Sequence, residues 1–138
     1  MAITQAMCNS FKTDVLGLDW ASGDTFKMAL YTSAATLDST TTAYSATNEV
    51  SGTGYSAGGV TMAGFTTGST TSTSWIDWTT DPSWAASTIT ARGALIYNST
   101  RSKAVCVLDF GADKTSTNGT FTVQLPVADS SNAIVRLT

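Results

Sequence analysis

Carboxylates are the main candidates for catalysis in this sequence, because the chain of 138 residues contains no histidine. Histidine is the commonest general base, so its absence excludes Ser–His and Cys–His nucleophile systems. A carboxylate pair remains, as in glycosidases. Glu49 is the only glutamate, and Asp77, Asp81 and Asp109 are its possible partners. Aspartates more often end strands or begin turns, so we predict no catalytic residues and no enzyme.

Metal ligands are equally sparse. Asp109, Asp113 and Asn118 lie in an oxygen-rich stretch that could bind calcium, but their spacing matches no EF-hand. Two cysteines without histidine do not make a structural zinc site. Cys8 and Cys106 both fall on apolar faces, which favours buried, reduced thiols. We therefore predict no metal and no cofactor.

Loop aromatics are the remaining candidates for a functional site. The segment Ser33–Gly59 is long, irregular and rich in glycine, and an ordered domain rarely keeps such a loop without a use. Tyr55 lies in it, and Trp84 lies in a second predicted loop over residues 81–86. Such aromatics serve as interface anchors or carbohydrate platforms, or they fold back onto the core. The predicted interface candidates are Asn48, Glu49, Tyr55 and Trp84.

Composition limits the other functions. Charged residues make up 12% of the chain, hydrophobic residues 42%, and the net charge is −3. Lysine and arginine form no cluster, so we expect no nucleic-acid partner. No apolar run approaches the length of a membrane span, and the first residues do not resemble a signal peptide. These features predict no membrane partner and assembly in a cytoplasm.

The pattern of apolar residues predicts a single all-β domain over residues 1–138. About eight strands and one short N-terminal helix, over residues 4–16, fit a two-sheet, jelly-roll-like sandwich. At its centre we predict a three-strand meander over Thr88–Pro126, with a polar loop at Gly111–Gly119. The other predicted strands cover residues 25–32, 60–65, 74–78 and 132–138, with a short edge strand at 41–44.

Several stretches resemble small structural proteins of tailed-bacteriophage virions, and the likeness extends over most of the chain. Within that class the chain is most similar to capsid cement, or decoration, proteins. The stretches are Phe26–Ser33, Thr42–Tyr44, Asn48–Tyr55, Gly58–Gly59, Thr90–Asn98 and Val107–Gly111.

The resemblance implies a β-sandwich on the outside of the phage head, often a dimer or trimer, that clamps neighbouring major capsid subunits. It implies no catalytic residues. Two alternatives stay open. One is a tail, neck or fibre-associated virion component, and the other is a carbohydrate-binding module that stacks sugars on Tyr55 and Trp84.

Overall fold

The computed structural model describes residues 2–17 and 20–138, which form mostly β structure. Within them lie eight strands and one short α-helix, as the sequence predicts. The elements are β1 Ala6–Met7, α1 Asn9–Leu16, β2 Phe26–Tyr31, β3 Val60–Thr61, β4 Phe65–Ser69, β5 Ser74–Trp78, β6 Ser83–Asn98, β7 Lys103–Thr122 and β8 Val135–Leu137.

Two antiparallel sheets make up the fold. The larger has the strand order β1-β7-β6-β2-β3, and the smaller has the order β4-β5-β8. The predicted two-sheet sandwich is therefore confirmed, while the jelly-roll topology stays a prediction. Aromatic rings join the two sheets: Phe26 of β2 lies 5.4 Å from the ring of Trp78 and 6.0 Å from that of Phe65. No helix among the described residues is long and apolar enough to cross a membrane.

A long hairpin of β6 and β7 replaces the predicted three-strand meander. The predicted loop Gly111–Gly119 is wrong, because β7 runs unbroken through it and pairs with the first half of β6. Threonine, which is β-branched, favours a strand, and Thr90 and Thr115 share a hydroxyl contact of 2.9 Å across the ladder. A bulge between Asp109 and Lys114 holds the turn-forming residues, including Gly111 at φ +80°.

The start of β6 corrects a second prediction. Residues 81–86, predicted as a loop, include the first residues of this strand, and Trp84 pairs with Phe121. Apolar contacts across the hairpin outweigh the turn signal of Asp81-Pro82. The predicted edge strand at residues 41–44 is also absent from the described structure, where these residues are irregular.

The N-terminal helix begins later than predicted. α1 starts at Asn9, and the residues before it are extended: Ala6 pairs with Val107 and Met7 with Cys106. The free edge of β7 offers these backbone groups partners, so the sheet replaces the first helical turn. Cys8 and Cys106 are buried free thiols, and burial raises the pKa of Cys8 to about 11 and that of Cys106 further.

Candidate interaction surface

The long loop Ser33–Gly59 is organised around the carboxylate of Glu49. Tyr44 donates its hydroxyl to Oε2 at 2.5 Å, while Tyr55 and the backbone N–H of Gly58 donate to Oε1 at 2.6 and 2.7 Å. The glutamate is half-buried. Hydrogen bonds to an ionised carboxylate are about twice as strong as neutral ones, so this single side chain holds three distant points of the loop together.

All four tyrosines of the chain converge on this loop. Besides the two on Glu49, Tyr31 donates to the Ser45 carbonyl and Tyr97 to the Gly58 carbonyl, both at 2.7 Å. The Tyr44 and Tyr97 rings stack with centroids 4.9 Å apart. Burial, followed by the hydrogen bond to Glu49, raises the pKa of Tyr44 to about 12. We call Glu49 with Tyr31, Tyr44, Tyr55 and Tyr97 the tyrosine cluster.

Glycines let the loop lie directly on the large sheet. At Gly59, φ is +78° and a Cβ would lie 1.8 Å from the Met28 carbonyl oxygen of β2. At Gly54, φ is +81° and a Cβ would lie 2.8 Å from the Ser87 Cα of β6. Only glycine fits both the backbone angle and the contact, so these positions fix the loop against the strands.

The first pair of predicted interface residues lies together on this loop. Asn48 is exposed at φ +60°, and its side-chain amide donates to the Ala34 carbonyl at 3.1 Å. Glu49 beside it points into the tyrosine cluster. Asn48 therefore stays available at the surface, whereas the Glu49 carboxylate is committed to holding the loop.

The second pair packs together at the edge of the core. Tyr55 is half-buried, its hydroxyl accepts the Leu30 N–H at 2.9 Å, and its ring stacks on Trp84 at 6.0 Å. Trp84 is only 4% exposed and meets Phe121 edge-on at 6.1 Å. The prediction that Trp84 lies in a loop is wrong, and of the two possibilities left open for its ring, interface anchor or core, the structure places it in the core. Because Trp84 is buried, the two rings do not form a joint exposed platform for sugars.

The acidic residues considered for catalysis each have a structural partner. Asp77 is fully buried and accepts the Trp78 N–H at 2.8 Å, and burial raises its pKa. Asp81 accepts the Leu125 N–H at 2.9 Å, and Asp109 pairs with Arg92 at 3.1 Å. In the described chain none of these aspartates hydrogen-bonds to Glu49.

The stretch considered for calcium is part of the hairpin. Asp109 accepts the Gly111 N–H at 2.9 Å as well as bonding Arg92, and these contacts lower its pKa. Asp113 and Asn118 are exposed on β7. Among residues 2–17 and 20–138, no group of three or more histidine, cysteine, aspartate or glutamate side chains is placed to hold a metal ion.

A groove of about 800 Å³ runs beside the second half of β7, and the sequence did not point to it. Its other wall is the chain between Val123 and Arg136. Leu108, Phe110, Leu125 and Ile134 line it and are all half-buried. The alternation of residues 120–125 places Leu125 inside, but nothing in the sequence shows that the layer above it is incomplete.

The chain matches no protein-family model, no curated protein and no solved structure in comparisons with each.

Proposed function

We propose that the protein is a capsid cement, or decoration, protein of a tailed bacteriophage. It binds the outside of the head as a dimer or trimer and clamps neighbouring major capsid subunits. It assembles with the particle in the host cytoplasm and acts in the virion. The proposal starts from the resemblance of Phe26–Ser33 and Asn48–Tyr55 to such proteins.

The observation that carries the proposal is the fixed loop Ser33–Gly59. Its inner side is held by the tyrosine cluster, while the side chains of Ala46, Thr47, Asn48 and Ser51 remain exposed. A surface ordered before binding loses less conformational entropy on docking than a flexible loop does. Small, uncharged side chains also allow close approach of a partner. This pairing of a rigid base with a neutral exposed face suits a protein that docks onto a shell.

Many identical contacts support such a role even when each is weak. Linking several binding sites makes the later contacts intramolecular, so a dimer or trimer gains avidity without new contacts. A clamp therefore does not need one large hot spot. This agrees with the burial of Trp84, the residue that would otherwise be the strongest candidate for an anchor.

The test is reconstitution on purified heads that lack this protein. We expect the added protein to cosediment with heads to saturation, and cryo-electron microscopy to show it on the outer surface. Thr47→Arg places a long cation on the exposed loop face and should lower the affinity about tenfold or more, equivalent to about 1.4 kcal/mol. Thr13→Arg makes the same change on exposed α1 and serves as the matched control.

Absence of binding to heads would contradict the proposal. Density on the tail, neck or fibres of complete virions would instead support the alternative virion location. Equal binding of Thr47→Arg and Thr13→Arg would show that the loop face is not the docking surface.

A further inference from the structure

The second half of β7 has a strand partner on one side only. β7 pairs with β6 along its length, but it pairs with β1 only at Cys106 and Val107. Beyond these residues, Gln5 accepts the Asp109 N–H at 3.2 Å. Within the described residues, no strand pairs with the outer edge of β7 from Lys114 to Thr122. Unpaired edges of this kind are templates for another strand.

The direction of the backbone at this edge follows from its neighbour. Thr88 of β6 donates its N–H to the Thr53 carbonyl, on the side away from β7. Thr90 lies two residues further and has the same backbone direction, so Thr90 and Thr115 are a non-hydrogen-bonded pair. Their hydroxyl contact of 2.9 Å fits the closer side chains of such a pair. The N–H and C=O of Thr115 therefore point outward from the sheet.

Apolar side chains lie beside this free backbone. The groove lined by Leu108, Phe110, Leu125 and Ile134 follows the same stretch of β7. Peptides that extend a sheet gain affinity from main-chain hydrogen bonds and specificity from pockets for alternate side chains. Both features are present here, so an extended segment with apolar residues at alternate positions fits the groove.

The charge of the groove selects an acidic segment. Lys114 is exposed at the edge and has no ion pair or hydrogen bond in the described part of the chain, and Arg136 lines the opposite wall. Asp109, the one acidic residue that lines the groove, forms an ion pair with Arg92. A carboxylate in the bound segment would therefore find an available cation at Lys114.

We propose that an extended, acidic segment of the shell protein adds as a strand to the outer edge of β7, with its apolar residues in the groove. This inference rests on the proposed function and names a second contact of the clamp. The loop that carries the exposed face contacts the β6 edge of the hairpin through Thr53 and Thr88, and the groove lies at the β7 edge. Two separate contacts are what a protein that bridges neighbouring subunits requires.

Two variants test the strand without disturbing the core. Thr115→Pro removes an outward N–H and leaves the ladder with β6 intact, since proline is tolerated on edge strands. Lys114→Glu reverses the charge at the edge. We expect each to lower the affinity for heads about tenfold or more. Lys12→Glu makes the same charge change on exposed α1 and should bind like the wild type.

Amide hydrogen exchange gives the direct readout. We expect exchange at Thr115 and its neighbours to slow when the wild-type protein is bound to heads, compared with the free protein. If the wild type binds heads with unchanged exchange at Thr115, or if both variants bind fully, the proposal of an added strand at β7 is overturned. The proposed function would still stand in either case. Failure of the wild type to bind heads would overturn both. Protection of Thr115 in a dimer without heads would make a second copy the occupant and overturn the acidic shell segment.

Discussion

The two outer edges of the β6–β7 hairpin differ in one respect: the edge on β6 is covered and the edge on β7 is open. On the β6 side, Thr53 of the long loop bonds Thr88, and Gly54 lies against Ser87. On the β7 side, the strand from Lys114 onward has no partner among the described residues. The irregular loop therefore covers one edge of the sheet, whereas the regular strand β7 leaves its own outer edge uncovered. Regular secondary structure is therefore a poor guide to which surface remains available for binding.

The packing of the loop on the β6 edge depends on specific side chains. The tyrosine cluster supplies hydrogen bonds, the glycines allow close contact, and Trp84 fills the space between Tyr55 and Phe121. Sequence-distant residues must meet for this, since the Tyr97 hydroxyl reaches the Gly58 carbonyl. The covered edge should therefore be sensitive to single substitutions, whereas the open edge should tolerate them.

The largest expected effect is at Trp84, on the covered side. Trp84→Ala should lower the free energy of unfolding by about 3–5 kcal/mol, because it removes a buried ring packed on both the loop and β7. Trp84→Phe should cost less, since it keeps an aromatic ring and the indole N–H has no partner in the described structure. Urea unfolding of both variants measures the difference. A loss below about 1 kcal/mol for Trp84→Ala would mean that the loop does not depend on this ring.

A smaller loss should follow removal of the carboxylate. Glu49→Ala leaves the Tyr55 hydroxyl and the Gly58 N–H without their acceptor, and we expect a cost of about 2–3 kcal/mol. Thr47→Ala, on the exposed side of the same loop, should change stability by less than about 0.5 kcal/mol. Equal losses from the two substitutions would remove the distinction between the inner and outer sides of the loop.

The sequence predicts best those strands in which apolar and polar residues alternate clearly. β2 and β5 were predicted nearly to the residue, because apolar residues alternate and clear turns bound them. For β7 the sequence predicts a loop in the middle of the strand, because Gly111 and Asn118-Gly119 are turn signals. The hairpin instead accommodates these residues in bulges. The threonines between them favour strands, and pairing with β6 decided the outcome.

The candidate surface was less predictable for a different reason. Asn48 is exposed as expected, and Glu49 is held by hydrogen bonds within its own loop. Trp84, by contrast, packs on Tyr55 and Phe121, which are far away in the sequence. The groove depends on Leu108 and Ile134, which are distant in the sequence, lining the same space, and on the absence of a covering strand among the described residues. No local pattern encodes either fact, since both arise from how the two sheets overlap.

The smallest expected effect is a loss of stability at alkaline pH, which should come from the tyrosines at the covered edge and not from the open edge. The pKa of Tyr44 rises from 10.0 to about 12 in the folded protein, mainly through burial and then through the bond to Glu49. Tyr31, Tyr55 and Tyr97 are shifted in the same direction, also mainly by burial. Because the folded protein then binds more protons than the unfolded chain, stability from these groups is complete below pH 10 and falls as the pH rises through 12.

Tyr44→Phe tests this assignment through the slope of stability against pH. Losing the hydroxyl lowers stability at neutral pH, but it also removes one group that titrates, so the decline between pH 10 and 12 should become shallower than in the wild type. Urea unfolding at each pH, with tyrosinate absorbance followed in parallel, measures both quantities. The open edge carries no tyrosine, so Lys114→Glu should leave the slope over this range close to that of the wild type. Parallel declines in the wild type and Tyr44→Phe would mean that this phenol titrates alike in the folded and unfolded chains, and the alkaline loss would then have to come from elsewhere than the loop.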